Sequence, residues 1–117
     1  RFYLIGRDDA DRAGRMDIGD LVNGLDPDKY MIVMDHQPTD YDNEAAAGAD
    51  LVVSGHTHGG QVFPVTYVGE WFNINDNTYG YERRGNTDFI VTSGISDWEI
   101  LFKTGTKAEY VILNISK

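Results

Sequence analysis

The sequence predicts an α/β fold built on a parallel sheet. Two observations carry that prediction: short, uninterrupted apolar runs alternate with helix-forming segments, and the histidines fall at the ends of those runs. Phe2-Tyr3-Leu4-Ile5 is β-prone and stops at Gly6. Ile18, Leu21, Val22 and Leu25 then fall at i, i+3, i+4 and i+7, one face of a helix. Asp17 is its expected N-cap, and Asn23-Gly24 with Pro27 its stop. Tyr30-Met31-Ile32-Val33-Met34 is apolar throughout, as in a strand buried on both faces. A short helix is expected through Glu44-Ala45-Ala46-Ala47, capped by Thr39 or Asp42 and closed by Gly48. Leu51-Val52-Val53 reads as the next buried strand.

Strand, helix, strand, helix, strand makes parallel sheets with right-handed crossovers. Parallel strands bring their carboxyl ends to one edge, where open α/β sheets bind ligands. Here those ends are Gly6-Arg7-Asp8-Asp9, Asp35-His36 and Ser54-Gly55-His56-Thr57-His58. Beyond them, residues 59–77 read as a long loop with room for one short strand. Phe89-Ile90-Val91-Thr92-Ser93 reads as a strand, and Trp98–Phe102 with Ala108–Leu113 as a hairpin around Thr104-Gly105-Thr106-Lys107.

Composition bounds the chemistry. A chain of 117 residues is one small domain with no internal linker, repeat or low-complexity tract. Nineteen acids against 10 bases give a formal charge of −9, which repels phosphate backbones and excludes a general nucleic-acid binder. Without cysteine there is no disulfide, thiolate zinc site or cysteine nucleophile. No apolar run approaches the ~18 residues of a membrane span, and no signal peptide is visible. Because the chain opens at Arg1 inside a strand-like run, a cut or trimmed product is expected. There is no Gly-x-x-x-x-Gly-Lys phosphate loop, no Gly-x-Ser-x-Gly elbow, and no set of residues for a serine triad.

All 3 histidines lie at predicted strand ends on one edge. His56 and His58, two apart in extended backbone, project to the same side. Gly55, Gly59 and Gly60 beside them permit close approach of backbone to a ligand. Convergent neutral imidazoles suit zinc, iron and related metals, although each alone can be an unremarkable loop histidine. Asp8, Asp9 and Asp35 can orient an imidazole or touch a metal's water, or serve only as turn and capping residues. Arg7 can bind a phosphate bidentately or sit on the surface. Phe63, Tyr67, Trp71, Phe72, Tyr79 and Tyr81 pack under the loop or wall a substrate.

Gly55-His56-Thr57-His58-Gly59-Gly60-Gln61, with Asp35-His36-Gln37-Pro38 one strand earlier, resembles the last two signatures of the calcineurin-like metallophosphoesterases. Ile5-Gly6-Arg7-Asp8-Asp9, Tyr79-Gly80-Tyr81 and Val91-Thr92-Ser93-Gly94 are similar to the bacterial membrane-associated branch, so the likeness covers essentially the whole chain. The resemblance implies that residues 1–117 are the C-terminal portion of a catalytic domain, half of a four-layer α/β/β/α sandwich with mixed sheets. It implies hydrolysis of a phosphomonoester or phosphodiester by two divalent metals, of the manganese, iron or zinc kind. Such a pair, ~3.5–4 Å apart, clamps a phosphate and activates a water. His36 and His56 would ligate one metal and His58 the other, with Arg7 and Asp8 as catalytic candidates.

The earlier motifs of the family, Asp-x-His, Gly-Asp-x-x-Asp and Gly-Asn-His, do not occur; Gly19-Asp20 leads to Asn23 instead of a second aspartate. The bridging aspartate, the asparagine ligand and the acid-base histidine are therefore expected from an amino-terminal half, which becomes a partner alongside a small phosphoester substrate. Alone, this segment is expected to hold one metal weakly at most, to be inactive or nearly so, and to self-associate through exposed sheet edges. The resembled branch often carries membrane segments ahead of the catalytic domain. A non-catalytic module holding one metal on three histidines is the alternative.

Overall fold

In the computed structural model the chain is described over residues 1–57, 76–77, 79–95 and 107–116. β1 (Phe2–Gly6), α1 (Ile18–Val22), β2 (Tyr30–Met34), α2 (Tyr41–Ala46) and β3 (Leu51–Ser54) follow in the expected order. β4 (Gly80–Arg84) and β5 (Thr87–Val91) complete a five-stranded sheet of order β1-β2-β3-β5-β4. β1, β2, β3 and β5 run parallel, and β4 returns antiparallel along the edge. The fold is thus α/β with a mixed sheet.

The register explains how one face becomes the core. Ile5 lies beside Val33, Val33 beside Val52, and Val52 beside Phe89. Val33, Val52 and Phe89 are fully buried, with Ile18 from α1 and Tyr41 from α2 above them. Each such aliphatic or aromatic side chain contributes ~1.5–3 kcal/mol by leaving water. Tyr41 stacks on Phe89 with ring centroids 3.9 Å apart, which fixes α2 over the centre of the sheet. On the opposite face the alternation leaves Phe2 62%, Leu4 58% and Met34 45% exposed, next to a β1 edge that has no further strand among the described residues.

Four details differ from the sequence reading. Asp40 occupies the N-cap position of α2, where Thr39 or Asp42 was expected, and Asp17 stands at the N-cap of α1 without a side-chain capping bond. β5 begins two residues early, because Thr87 Oγ1 donates to the Ala49 carbonyl and anchors the strand start. The Tyr79-Gly80-Tyr81 segment, expected as loop, enters β4; its hairpin to β5 turns at Gly85-Asn86, with Gly85 in the left-handed region that two-residue hairpin turns favour. Residues 108–113 form neither helix nor strand where a hairpin was expected; the Glu109 N–H donates to the Gly94 carbonyl at 2.9 Å. The other arm of that hairpin, residues 98–102, lies outside the described residues, as do residues 59–75, including Phe63, Tyr67, Trp71 and Phe72.

Candidate metal centre at the carboxyl edge of the sheet

The parallel strand ends are laced together by backbone bonds. Arg7 N–H donates to the Met34 carbonyl at 2.9 Å and Asp35 N–H to the Val53 carbonyl at 3.1 Å. Gly55 N–H donates to the His36 carbonyl at 3.2 Å, so the residue before His56 is tied to His36 itself. These bonds place the two imidazoles together: His36 Nε2 and His56 Nδ1 lie 3.1 Å apart, with the rings edge to face at a centroid distance of 4.9 Å. Both residues are exposed at the sheet edge.

Two nitrogens on one tetrahedral zinc, each at ~2.1 Å, stand ~3.4 Å apart. The observed spacing is close to that, so the donor set fits a shared cation. His56 also has φ of +62°, the one positive φ of a non-glycine residue among the described residues. For an L-residue that conformation costs ~1–2 kcal/mol, and strain of this kind gathers at functional sites. Among the described residues no group of three or more metal-ligating side chains forms; His58 lies outside them.

The aspartates divide. Asp8 is exposed and pairs with Arg12 at 3.0 Å. Asp9 is the carboxylate beside the imidazoles. Its pKa is lowered first by the Asp11 backbone N–H, then by the Gln37 side chain, and further by the nearby His36 and His56. Gln37 is itself pinned, accepting the Ala10 N–H at 3.0 Å.

Arg7 turns inward. Its side chain is 3% exposed, with Nη1 3.0 Å from both Asp35 Oδ2 and Glu44 Oε1, and Nη2 2.8 Å from Asp40 Oδ2. Arg15 Nη2 pairs with the same Asp35 oxygen. Burial works against the Arg7 charge, but the bonds to Glu44 and Asp40 and the field of Asp35 outweigh it and raise its pKa. Burial pushes the Glu44 carboxyl up to about 8; Arg7 pulls it down and the neighbouring Asp35 pushes it further up. The Glu44 carboxyl is thus held above the ordinary carboxylate range. The cluster sets the guanidiniums of Arg7 and Arg15 among the carboxyl groups of Asp35, Asp40 and Glu44.

The sequence pattern singled out Arg7 and Asp35 but not Arg15, Asp40 or Glu44. A signal existed for Glu44: Tyr41, Glu44 and Ala45 fall at i, i+3 and i+4 on the buried face of α2, and a carboxyl there needs a partner. Nothing in the pattern marked Arg15.

Glu44 gives the fold a pH dependence of definite sign. A folded-state pKa above the unfolded value adds stability that is complete below ~4.5 and is lost as pH rises through ~8. Glu44→Gln keeps the shape and removes the titration. The melting temperature of the native chain is expected to fall relative to Glu44→Gln between pH 5 and pH 9. A difference that stays constant across that range contradicts the assignment.

Comparison with known proteins shows the family. The chain is 32% identical over 97 residues to a bovine transmembrane protein with a metallophosphoesterase domain, covering 80% of this chain and 21% of the relative. It is 32% identical over 101 residues to an uncharacterised metallophosphoesterase of Campylobacter jejuni, covering 85% and 26%. One from Aquifex aeolicus is 41% identical over 70 residues, covering 56% and 26%. The chain belongs to the metallophosphoesterase superfamily. It spans about a fifth to a quarter of the length of the curated relatives it matches. No protein-family profile and no solved structure matches it. Metallophosphoesterases use divalent metals as a class, which is the chemistry that the imidazole pair suits.

Proposed function

We propose that this metallophosphoesterase segment supplies the C-terminal ligands of a two-metal site that hydrolyses a phosphomonoester or phosphodiester. The observation that carries the reading is the 3.1 Å approach of His36 Nε2 to His56 Nδ1 at the carboxyl edge of the sheet. In this reading His36 and His56 share one metal and His58 serves the other. When bound, the metals supply Lewis acidity toward the phosphoryl oxygens. The chain's own residues hold the geometry around them. His36 is fixed by its carbonyl bond to Gly55, and His56 by a backbone already bent into the left-handed region. Asp9 presents a carboxylate kept ionised by the Asp11 N–H, able to orient water or a ligand proton at the rim. Asp8 is exposed and pairs with Arg12, whose guanidinium is itself open to solvent and could meet a phosphate.

Two divalent cations ~4 Å apart repel and need bridging negative charge. The family's bridging aspartate motif does not occur in this sequence, so the remaining ligands would come from a longer chain or a separate polypeptide. The apolar face bearing Phe2, Leu4 and Met34 is where such a partner, or a second copy, would pack. No helix among the described residues is long and apolar enough to cross a membrane; the name of the bovine relative suggests a membrane-attached parent.

The test is hydrolysis of an aryl phosphate and an aryl phosphodiester with excess manganese or zinc. The 117-residue chain alone is expected to turn over little or nothing, and activity is expected when the missing ligands are supplied on an amino-terminal polypeptide. Full turnover by the chain alone rejects the ligand argument. Inactivity of every combination, including the longest natural product of the gene, rejects the enzymatic reading.

A further inference from the structure

We propose that Arg7 is a positioning residue for His36, its guanidinium clasping the two ends of the loop that carries the imidazole. The proposal rests on the reading of His36 as a metal ligand.

The loop between β2 and α2 runs from Asp35 to Asp40, and His36 is its second residue. Both ends of that loop are held by the one guanidinium: Arg7 Nη1 bonds Asp35 at 3.0 Å, and Nη2 bonds Asp40 at 2.8 Å. A third bond, to Glu44 at 3.0 Å, fixes the fork to the first turn of α2. The backbone of Arg7 is meanwhile joined to the end of β2 through the Met34 carbonyl. One side chain thus sets the spacing of the loop ends, and with it the height at which His36 meets His56.

The fork geometry matters here. A guanidinium holds its two nitrogens in one plane and can grip two carboxylates at once in a fixed relation. An ammonium is a single point charge on a flexible stem. Stability alone is a poor account of the cluster, since buried ion pairs are commonly no better for stability than apolar residues of the same volume. A ligand that must be held within ~0.5 Å of its working position gives the cluster a purpose.

The proposal is tested with Arg7→Lys and Arg7→Met in the 117-residue chain, with Leu51→Val, a buried position on the sheet face away from α2, as a destabilised control that leaves the cluster alone. Cobalt(II) binding is followed by visible absorption. Metal-free His36 and His56 are followed by the nitrogen and carbon shifts of their rings. Arg7→Lys is expected to weaken cobalt binding by about tenfold, as loss of a ligand-orienting contact does, and Arg7→Met by more. Leu51→Val is expected to bind as the native chain does, and the ring shifts are expected to move in the Arg7 variants and not in Leu51→Val. Native cobalt affinity in Arg7→Lys overturns the proposal, and so does an equal loss in Leu51→Val. If Arg7→Met does not fold, Arg7→Lys decides. If the native chain takes up no cobalt, the metal reading fails; the ring shifts then decide the positioning claim, which unchanged rings in Arg7→Lys overturn.

Discussion

Replacing either His36 or His56 with alanine is expected to remove a metal and to lower phosphoester hydrolysis by the complete enzyme by ~100-fold or more. The size follows from a comparison: losing a residue that merely orients a metal ligand costs ~10–100-fold, and these side chains are read as the ligands. The two variants should lose affinity alike, because the nitrogens 3.1 Å apart are read as sharing one cation. They should differ in the stability of the metal-free fold. His56 has φ of +62°, so His56→Gly releases the ~1–2 kcal/mol of an L-residue in that region. It should melt no lower than the native chain while binding metal as poorly as His56→Ala. Metal content and melting temperature measured on the same samples check both statements; a His56→Gly chain that keeps its metal contradicts the assignment.

Phe89→Ala is expected to cost ~3–5 kcal/mol, the usual loss for a fully buried phenyl group. Phe89 is 0% exposed and stacks on Tyr41. Its removal therefore opens a cavity under α2 and unsettles the helix that presents Glu44 to Arg7. Against a total of about 5–15 kcal/mol for a domain of ordinary stability, that approaches global unfolding. Denaturant titration checks it. A loss below ~1 kcal/mol would mean that the centre of the sheet does not hold the fold.

The sequence was most informative at the centre of the sheet, where the apolar runs are unbroken, although β2, expected to be buried on both faces, leaves Met34 45% exposed. β2 and β3 lie between neighbours on both sides, and their runs Tyr30–Met34 and Leu51–Val53 read directly as strands. From them the shared carboxyl edge followed, and with it the meeting of His36 and His56. β4 was not legible because it is an edge strand: Tyr81 and Arg83 face outward, and Arg84 lies over the Tyr41 ring at 5.0 Å, so Gly-Tyr-Glu-Arg-Arg shows no apolar alternation. Insertion of β5 between β3 and β4 was hidden for a related reason, since pairing order depends on long-range register and not on local pattern. The charge cluster was only half legible. Arg7 and Asp35 stood at strand ends and drew attention, whereas Asp40, Glu44 and Arg15 reach them through the fold alone.

The central claim is that His36 and His56 hold one cation between them. X-ray absorption at the zinc edge of the zinc-loaded 117-residue chain tests it most directly. The account predicts two imidazole scatterers at ~2.0–2.1 Å, reduced to one in His36→Ala and in His56→Ala. Zinc bound without imidazole scattering, or a spectrum unchanged by both substitutions, would contradict it.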